Sequence, residues 1–186
     1  KGELVRERIE SKYSNLSLAT QKKQLGTADA VKSGLGYINE NDSVFILNGD
    51  VPLIKRKSLE DMLKFHKDQN GDLSVGLMKI ENPHGYGRAV LEDNDLKMIV
   101  EEKDATPKQK KIRTVNGGIY LMKGKTLIDN IAKIDNNNAQ EEYYITDLVD
   151  ILNGEKMIVK GYLFKDPREL LGINTPKQLE EIKKYV

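Results

Sequence analysis

Ser43-Val44-Phe45-Ile46-Leu47-Asn48-Gly49-Asp50-Val51-Pro52-Leu53 is the stretch that decides the fold. Its opening five residues form a compact β-branched and aromatic run, the pattern of a buried parallel strand. The run stops at Asn48-Gly49-Asp50, where Gly49 lets the backbone turn tightly and Pro52 stiffens the exit. A carboxylate just past the carboxyl end of such a strand stands where open α/β sheets bind ligands. Asp50 is then either a hard oxygen ligand suited to Mg²⁺ and substrate phosphate oxygens, or a cap for the helix beginning near Ser58.

Outward from this run, strands are predicted over residues 73–80, 88–91, 98–101, 118–122 and 157–164. Helical spacing lies between them. Ser58 can cap a helix with Leu59, Met62, Leu63 and Phe65 on one side, and residues 126–134 and 145–152 repeat the pattern. Thr175-Pro176-Lys177-Gln178 opens a last helix with a cap, a Pro at the first helical position and a Gln completing a capping box. Strands alternating with helices predict an α/β domain with a mainly parallel sheet flanked by helices. Residues 82–118 are denser in strands and turns and predict a small antiparallel insertion.

Composition narrows the function. The 186 residues, 38% hydrophobic, suit one globular domain. Thirty basic and 29 acidic groups nearly cancel to a net charge of +1, which gives no basis for nucleic acid as a partner. The absence of cysteine excludes disulfides and thiolate metal sites and fits a cytoplasmic location. No apolar run reaches membrane-spanning length. The opening Lys1-Gly2-Glu3-Leu4-Val5 lacks an initiator Met, so a piece of a larger protein is expected.

Several segments could carry chemistry. Gln24-Leu25-Gly26-Thr27-Ala28-Asp29-Ala30 places free backbone N–H groups at a helix start, which suits a phosphate or a base edge but is equally a plain cap. Two glycines around Tyr86 in Asn82-Pro83-His84-Gly85-Tyr86-Gly87-Arg88 suggest a turn approaching a ligand, or a simple hairpin. His84 reads as a surface turn residue and His66 as a helix-face residue. Glu101 and Glu102 are adjacent on a strand and point to opposite faces, which counts against two-carboxylate hydrolysis by this pair. One inward carboxylate can still accept from a sugar hydroxyl or an amide. Asn116, before Gly117-Gly118, and Asn174, before Thr175, offer donor and acceptor groups for sugar hydroxyls, or a carbonyl ligand for a hard cation.

The order of these segments, together with Asn137-Asn138-Ala139-Gln140-Glu141-Glu142-Tyr143-Tyr144-Ile145-Thr146-Asp147 and Gly172-Ile173-Asn174, resembles the successive motifs of the GlmU family. Its members are bifunctional N-acetylglucosamine-1-phosphate uridylyltransferases and glucosamine-1-phosphate acetyltransferases, and the match runs from about Gln21 to Asn174. The resemblance implies a Rossmann-like nucleotide-diphospho-sugar transferase fold. Residues 1–186 would be one incomplete uridylyltransferase domain, with the N-terminal strand and Gly-rich loop missing and the left-handed β-helix acetyltransferase domain absent. Gln21, Gly26 and Thr27 would contact uracil, Asn48, Gly49 and Asp50 the nucleotide sugar, and Asp50 with Asn174 would hold Mg²⁺ as the catalytic pair. Gly87, Glu101, Asn116, Tyr144 and Thr146 would line the N-acetylglucosamine pocket.

The implied substrates are UTP and N-acetylglucosamine 1-phosphate, giving UDP-N-acetylglucosamine for cell-wall precursor synthesis. The implied fragment is an inactive monomer, from a parent that is a homotrimer. Alternatives are another sugar-1-phosphate nucleotidyltransferase, for glucose 1-phosphate with a thymidylyl or uridylyl donor, and a non-catalytic nucleotide-sugar-binding module. The sequence departs from the family at Asn48, where an aromatic is common, Asp29 for His, Gly117 for Thr or Ser, and Glu141 for Gly.

Overall fold

The computed structural model describes residues 2–173 and 175–185, apart from the side chain of Glu181. Helix α1 (Gly2–Glu10) buries none of its residues. It is followed by α2 (Thr27–Gly34), β1 (Ser43–Leu47), α3 (Arg56–Asp68), β2 (Leu73–Lys79), β3 (Arg88–Glu92) and β4 (Asp95–Val100). The chain continues through β5 (Thr114–Lys123), α4 (Gly124–Asn130), α5 (Leu148–Gly154), β6 (Val159–Leu163) and α6 (Pro176–Ile182). No helix among the described residues is long and apolar enough to cross a membrane.

The strands form one sheet in the order β1-β5-β2-β6-β4-β3. Alternation along β2 and β5 splits the core between its two faces. Leu73, Val75, Leu77, Tyr120 and Met122 pack with Leu127, Leu148, Val149 and Leu152 of α4 and α5. Ile119, Leu121 and Met78 pack with Met62 of α3, Phe164 and Leu170. Helices thus flank both faces, as an α/β reading requires.

Strand direction differs from the sequence expectation. Among the described strands only β2 and β6 pair in parallel; β1–β5, β2–β5, β3–β4, β3–β5 and β4–β6 are antiparallel, so the sheet is mixed. The cause is β5, which threads between β1 and β2 and runs against both. The antiparallel insertion is present as the β3–β4 hairpin, joined to the rest through the rungs Arg88↔Val115 and Asp95↔Lys160. β1 is also not a buried central strand: among the described strands it lies at the edge, with Val44, Phe45 and Ile46 half-buried. Its run is apolar throughout because Val44 and Ile46 meet one core cluster and Phe45 the other.

Two local readings change as well. The N-cap of α3 is Lys55 rather than Ser58, and its N–H donates to the buried Glu169 carboxylate at 3.1 Å, 114 residues away in sequence. That long-range acceptor takes the capping role considered for Asp50. The turn at Gly49 needs no glycine, since its φ is not in the left-handed region and a Cβ there would meet nothing within 4 Å. The start of α6 is as read: the Thr175 side chain accepts from the Gln178 N–H at 3.2 Å, with Pro176 at the first position.

Leu121 is fully buried at the centre of β5. Leu121→Ala is expected to cost about 2–5 kcal/mol, read as a lowered urea midpoint with an unchanged slope.

Candidate functional site

A polar cleft of about 320 Å³ opens beyond the carboxyl ends of β1 and β6. Asn48, Asp50, Gly87, Glu101 and Asn116, all anticipated from sequence, line it together with Tyr86, Gly118, Leu170, Gly172 and Gln178. Segments far apart in sequence deliver these groups, and several are held by identifiable forces.

Asp50 sits on the loop after β1, whose carbonyl accepts from the Ile173 N–H at 2.9 Å. That bond ties the loop to the segment leading into α6. Asn174 lies outside the described residues. Asn116 is positioned by a β-bulge: Gly76 pairs with Ile119 and Leu77 with Asn116, so Gly117 and Gly118 are left over in β5. Gly118 has φ 72°, and a Cβ on Gly117 would fall 2.3 Å from Leu170 Cδ1 and 2.9 Å from the Gly76 carbonyl. The sequence reading began the strand at Gly118 and missed this bulge. Within it the Asn116 amide donates to the Tyr120 hydroxyl at 2.8 Å, and its oxygen accepts from the Gly118 N–H at 3.0 Å. One donor and one lone pair of that amide remain for a ligand.

Glu101 turns into the cleft and accepts from the Thr146 hydroxyl at 3.3 Å. Burial pushes its carboxyl above the usual range, with the Thr146 bond and Arg88 pulling the other way and Asp104 adding to the rise. Glu102 faces elsewhere, paired with Arg88 at 2.5 Å. The two acids therefore diverge as expected, but not by strand alternation: β4 ends at Val100 and both lie in the turn that follows it. Tyr144 and Thr146 are buried, and the Tyr144 hydroxyl accepts from Gln140 at 2.5 Å.

Gln21, Gly26 and Thr27 form a separate group outside the cleft lining. The Gln21 amide donates to the Gly26 carbonyl at 3.2 Å and to Asp29 at 2.8 Å. Gly26 has φ 115°, and a Cβ on it would come within 2.5 Å of the Tyr143 carbonyl. The Ile145 N–H donates to the Thr27 hydroxyl at 3.0 Å, and the Ala28 N–H to the Tyr143 carbonyl at 2.9 Å. This segment is thus stitched to the chain around Tyr143–Ile145, which leads into Thr146. Of the histidines, His66 is buried with Nδ1 2.8 Å from the Ser74 hydroxyl, whereas His84 is exposed at the rim of the cleft.

Arg88 and Leu170 carried no functional signal in sequence. Leu170 reaches the cleft from the end of a short turn over Pro167–Leu170 capped by Asp166, which gives no sign of a ligand, and a charged residue opening a strand is ordinarily solvent-facing. Arg88 is instead 2% exposed.

Two solved structures share this fold. One is a UDP-glucose pyrophosphorylase complexed with UDP-glucose, at TM-score 0.66 and 17% identity over 88% of this chain and 64% of that one. The other is a putative glucose-1-phosphate thymidylyltransferase from Bacillus anthracis in complex with sucrose, at TM-score 0.67 and 18% identity over 99% and 71%. The fold is therefore that of an α/β nucleotidyltransferase. The nucleotidyl transferase family model matches residues 1–167, and the chain belongs to that family.

The chain is similar to the bifunctional protein GlmU of Thermosipho melanesiensis, 40% identical over 92% of this chain and 37% of that protein. It is equally similar, at 40% over 96% and 39%, to that of Geobacter sulfurreducens. The resemblance expected from the motif order is borne out, and the chain spans well under half the length of these relatives.

Two expectations follow from the geometry. Burial, reinforced by Asp150, Asp135 and Glu101, pushes the Asp147 carboxyl up to about 6 from 3.8. A raised folded value means that its stabilising contribution is complete below 3.8 and is lost as the pH rises to about 6. Asp147→Asn should remove that decline. It should gain about 1 kcal/mol relative to the parent between pH 4 and 7 once its half-exposure is allowed for, measured by urea titration across pH. Glu141 holds φ 55°, in the left-handed region that favours glycine. Glu141→Gly should therefore raise stability by up to about 1 kcal/mol, against the usual loss for added glycine, as read by thermal melting.

Proposed function

We propose that this chain forms the uridylyl-transfer site of a GlmU-type protein, joining UTP and N-acetylglucosamine 1-phosphate to give UDP-N-acetylglucosamine and pyrophosphate. The observation that carries this reading is the convergence of Asp50, Gly87, Glu101 and Asn116 from four segments on one polar cleft. The similarity to GlmU proteins at 40% identity supports the choice of sugar and nucleotide. Such a reaction belongs in the cytoplasm, where UTP is made, and feeds cell-wall precursor synthesis.

A phosphate oxygen of the sugar 1-phosphate attacks the α-phosphorus of UTP in line. The new P–O bond forms as the bond to the bridging β-phosphate oxygen breaks, and pyrophosphate departs with that electron pair. No covalent enzyme intermediate is required, so the residues act by orientation. Glu101, itself steadied by Thr146, accepts from the sugar's amide N–H or a hydroxyl. Asn116 offers its remaining donor and lone pair to the sugar hydroxyls. Gln21 spends its NH₂ on Gly26 and Asp29, which leaves its carbonyl oxygen to accept from the uracil N3–H.

The donor chemistry of the cleft fits Mg²⁺. Among the described residues no group of three His, Cys, Asp or Glu could enclose a metal, whereas a lone half-buried Asp50 suits a hard cation that keeps waters and takes phosphate oxygens. Asp50 would hold the ion with Asn174. When bound, Mg²⁺ supplies neutralisation of the crowded phosphate charge.

In the protein as the cell makes it, Asp50→Asn is expected to lower pyrophosphate release by about a hundredfold or more, and Glu101→Gln to raise KM for the sugar phosphate about tenfold. Full activity in Asp50→Asn, or a preference for thymidylyl transfer across a nucleotide panel, would refute the reading.

A further inference from the structure

Arg88 is a buried charged side chain beside the cleft that the proposed chemistry leaves unused. It opens β3 directly after the cleft residue Gly87, is 2% exposed, and makes two anchoring contacts. One terminal nitrogen, Nη1, donates to the Tyr86 carbonyl, and Nη2 pairs with Glu102 Oε2 at 2.5 Å. Its Nε is buried without a hydrogen-bond partner.

These contacts join two walls of the cleft. The first wall is the turn over residues 83–87, in which the Tyr86 N–H donates to the Pro83 carbonyl at 3.2 Å and Gly85 takes φ 85°. Tyr86 and Gly87 of that turn line the cleft, and the Asn116 N–H donates to the Gly87 carbonyl at 2.9 Å. The second wall is the turn after β4, closed by the bond from the Asp104 N–H to the Glu101 carbonyl at 3.0 Å. Glu101 of that turn faces the cleft, and its neighbour Glu102 holds the guanidinium. A Cβ on Gly87 would sit 3.1 Å from Glu101 Oε1, so the two walls are in contact where the guanidinium clamps them.

A buried ion pair is weak evidence for stability, because desolvation offsets most of the attraction, and the orphaned Nε adds a further penalty. An apolar side chain would fill this space at lower cost. The clamp's value therefore lies in geometry: a planar fork can fix two acceptors at a set separation, which neither an apolar side chain nor a single ammonium can do.

We propose that Arg88, through its fork to the Tyr86 carbonyl and Glu102, is a positioning residue that sets the spacing between Gly87 and Glu101 and so tunes recognition of the sugar phosphate. The inference rests on the uridylyltransferase reading of the same cleft. Arg88 touches no reacting atom; it acts through Glu101 and the Tyr86–Gly87 backbone. Its effect falls on the sugar phosphate and not on the nucleotide end, since Gln21, Gly26 and Thr27 are held by Asp29 and Tyr143–Ile145 instead.

The test is a set of steady-state constants for Arg88→Met, Arg88→Lys and Glu102→Gln in the protein as the cell makes it, with thermal midpoints recorded in parallel. Arg88→Met is expected to raise KM for N-acetylglucosamine 1-phosphate about tenfold while KM for UTP stays within about threefold. Arg88→Lys, reaching one anchor at a time, should recover part of that loss, and Glu102→Gln should show the same one-sided rise in smaller measure. A merely structural role would lower the active fraction, and hence apparent kcat, with both KM values unchanged; that result overturns the proposal. Where Arg88→Met does not fold, Glu102→Gln decides, because Glu102 is a quarter exposed and the amide oxygen of Gln can still accept from Arg88. An unsubstituted protein that makes no UDP-N-acetylglucosamine would sink the uridylyltransferase reading itself. An active parent whose variants keep both KM values removes only the role of Arg88.

Discussion

Everything in the sheet hangs on β5. This ten-residue strand hydrogen-bonds to β1 along one edge and to β2 along the other, and touches the insertion through Val115. It cannot do this as a regular strand. The two-residue surplus at Gly117–Gly118 interrupts the ladder with β2, which resumes at Asn116, and that bulge brings Asn116 to the cleft. The bulge tolerates little else: one glycine has φ 72°, and the other is pressed between Leu170 and the Gly76 carbonyl. The same pair of residues therefore shapes the cleft floor and orients one ligand-facing amide.

Around that floor the cleft is assembled by contacts of very long sequence separation. Glu169 reaches the start of α3, Thr146 reaches Glu101, and the Ile173 N–H reaches the Asp50 carbonyl. None of these is strong alone; a net hydrogen bond is worth about 1 kcal/mol. Their effect is to remove freedom from loops that would otherwise carry the functional groups independently. The Gln21–Thr27 group is built on the same logic, with Gly26 packed against the Tyr143 backbone and Thr27 accepting from Ile145.

How much of this could be read from the chain alone follows from what each feature depends on. The α/β class and all six strands were legible because apolar runs and turn residues are local signals. The cap at Thr175 was legible for the same reason, as a motif contained within four residues. Strand direction was not, since it depends on β5 returning between β1 and β2, which no local pattern encodes. The capping of Lys55 by Glu169 was out of reach for the same reason. Within the site, Asp50 was legible from its place after β1, whereas the divergence of Glu101 and Glu102 was expected for the wrong reason, since both lie in the turn beyond β4 and not on a strand. Arg88 did not stand out, because burial of a charged residue is decided by partners far along the sequence. Glu141 is a similar case, since its polar surroundings in sequence give no sign of the left-handed φ of 55° that it holds.

The position of β1 carries a last consequence, for handling of the chain and not for its chemistry. Ser43–Leu47 is β-branched and aromatic, contains neither lysine nor proline, and has a described neighbour along only one side. A row of backbone donors and acceptors with that composition acts as an adhesive strip for any extended peptide. Whichever segment reaches the strip first governs whether concentrated solutions stay clear or turn cloudy.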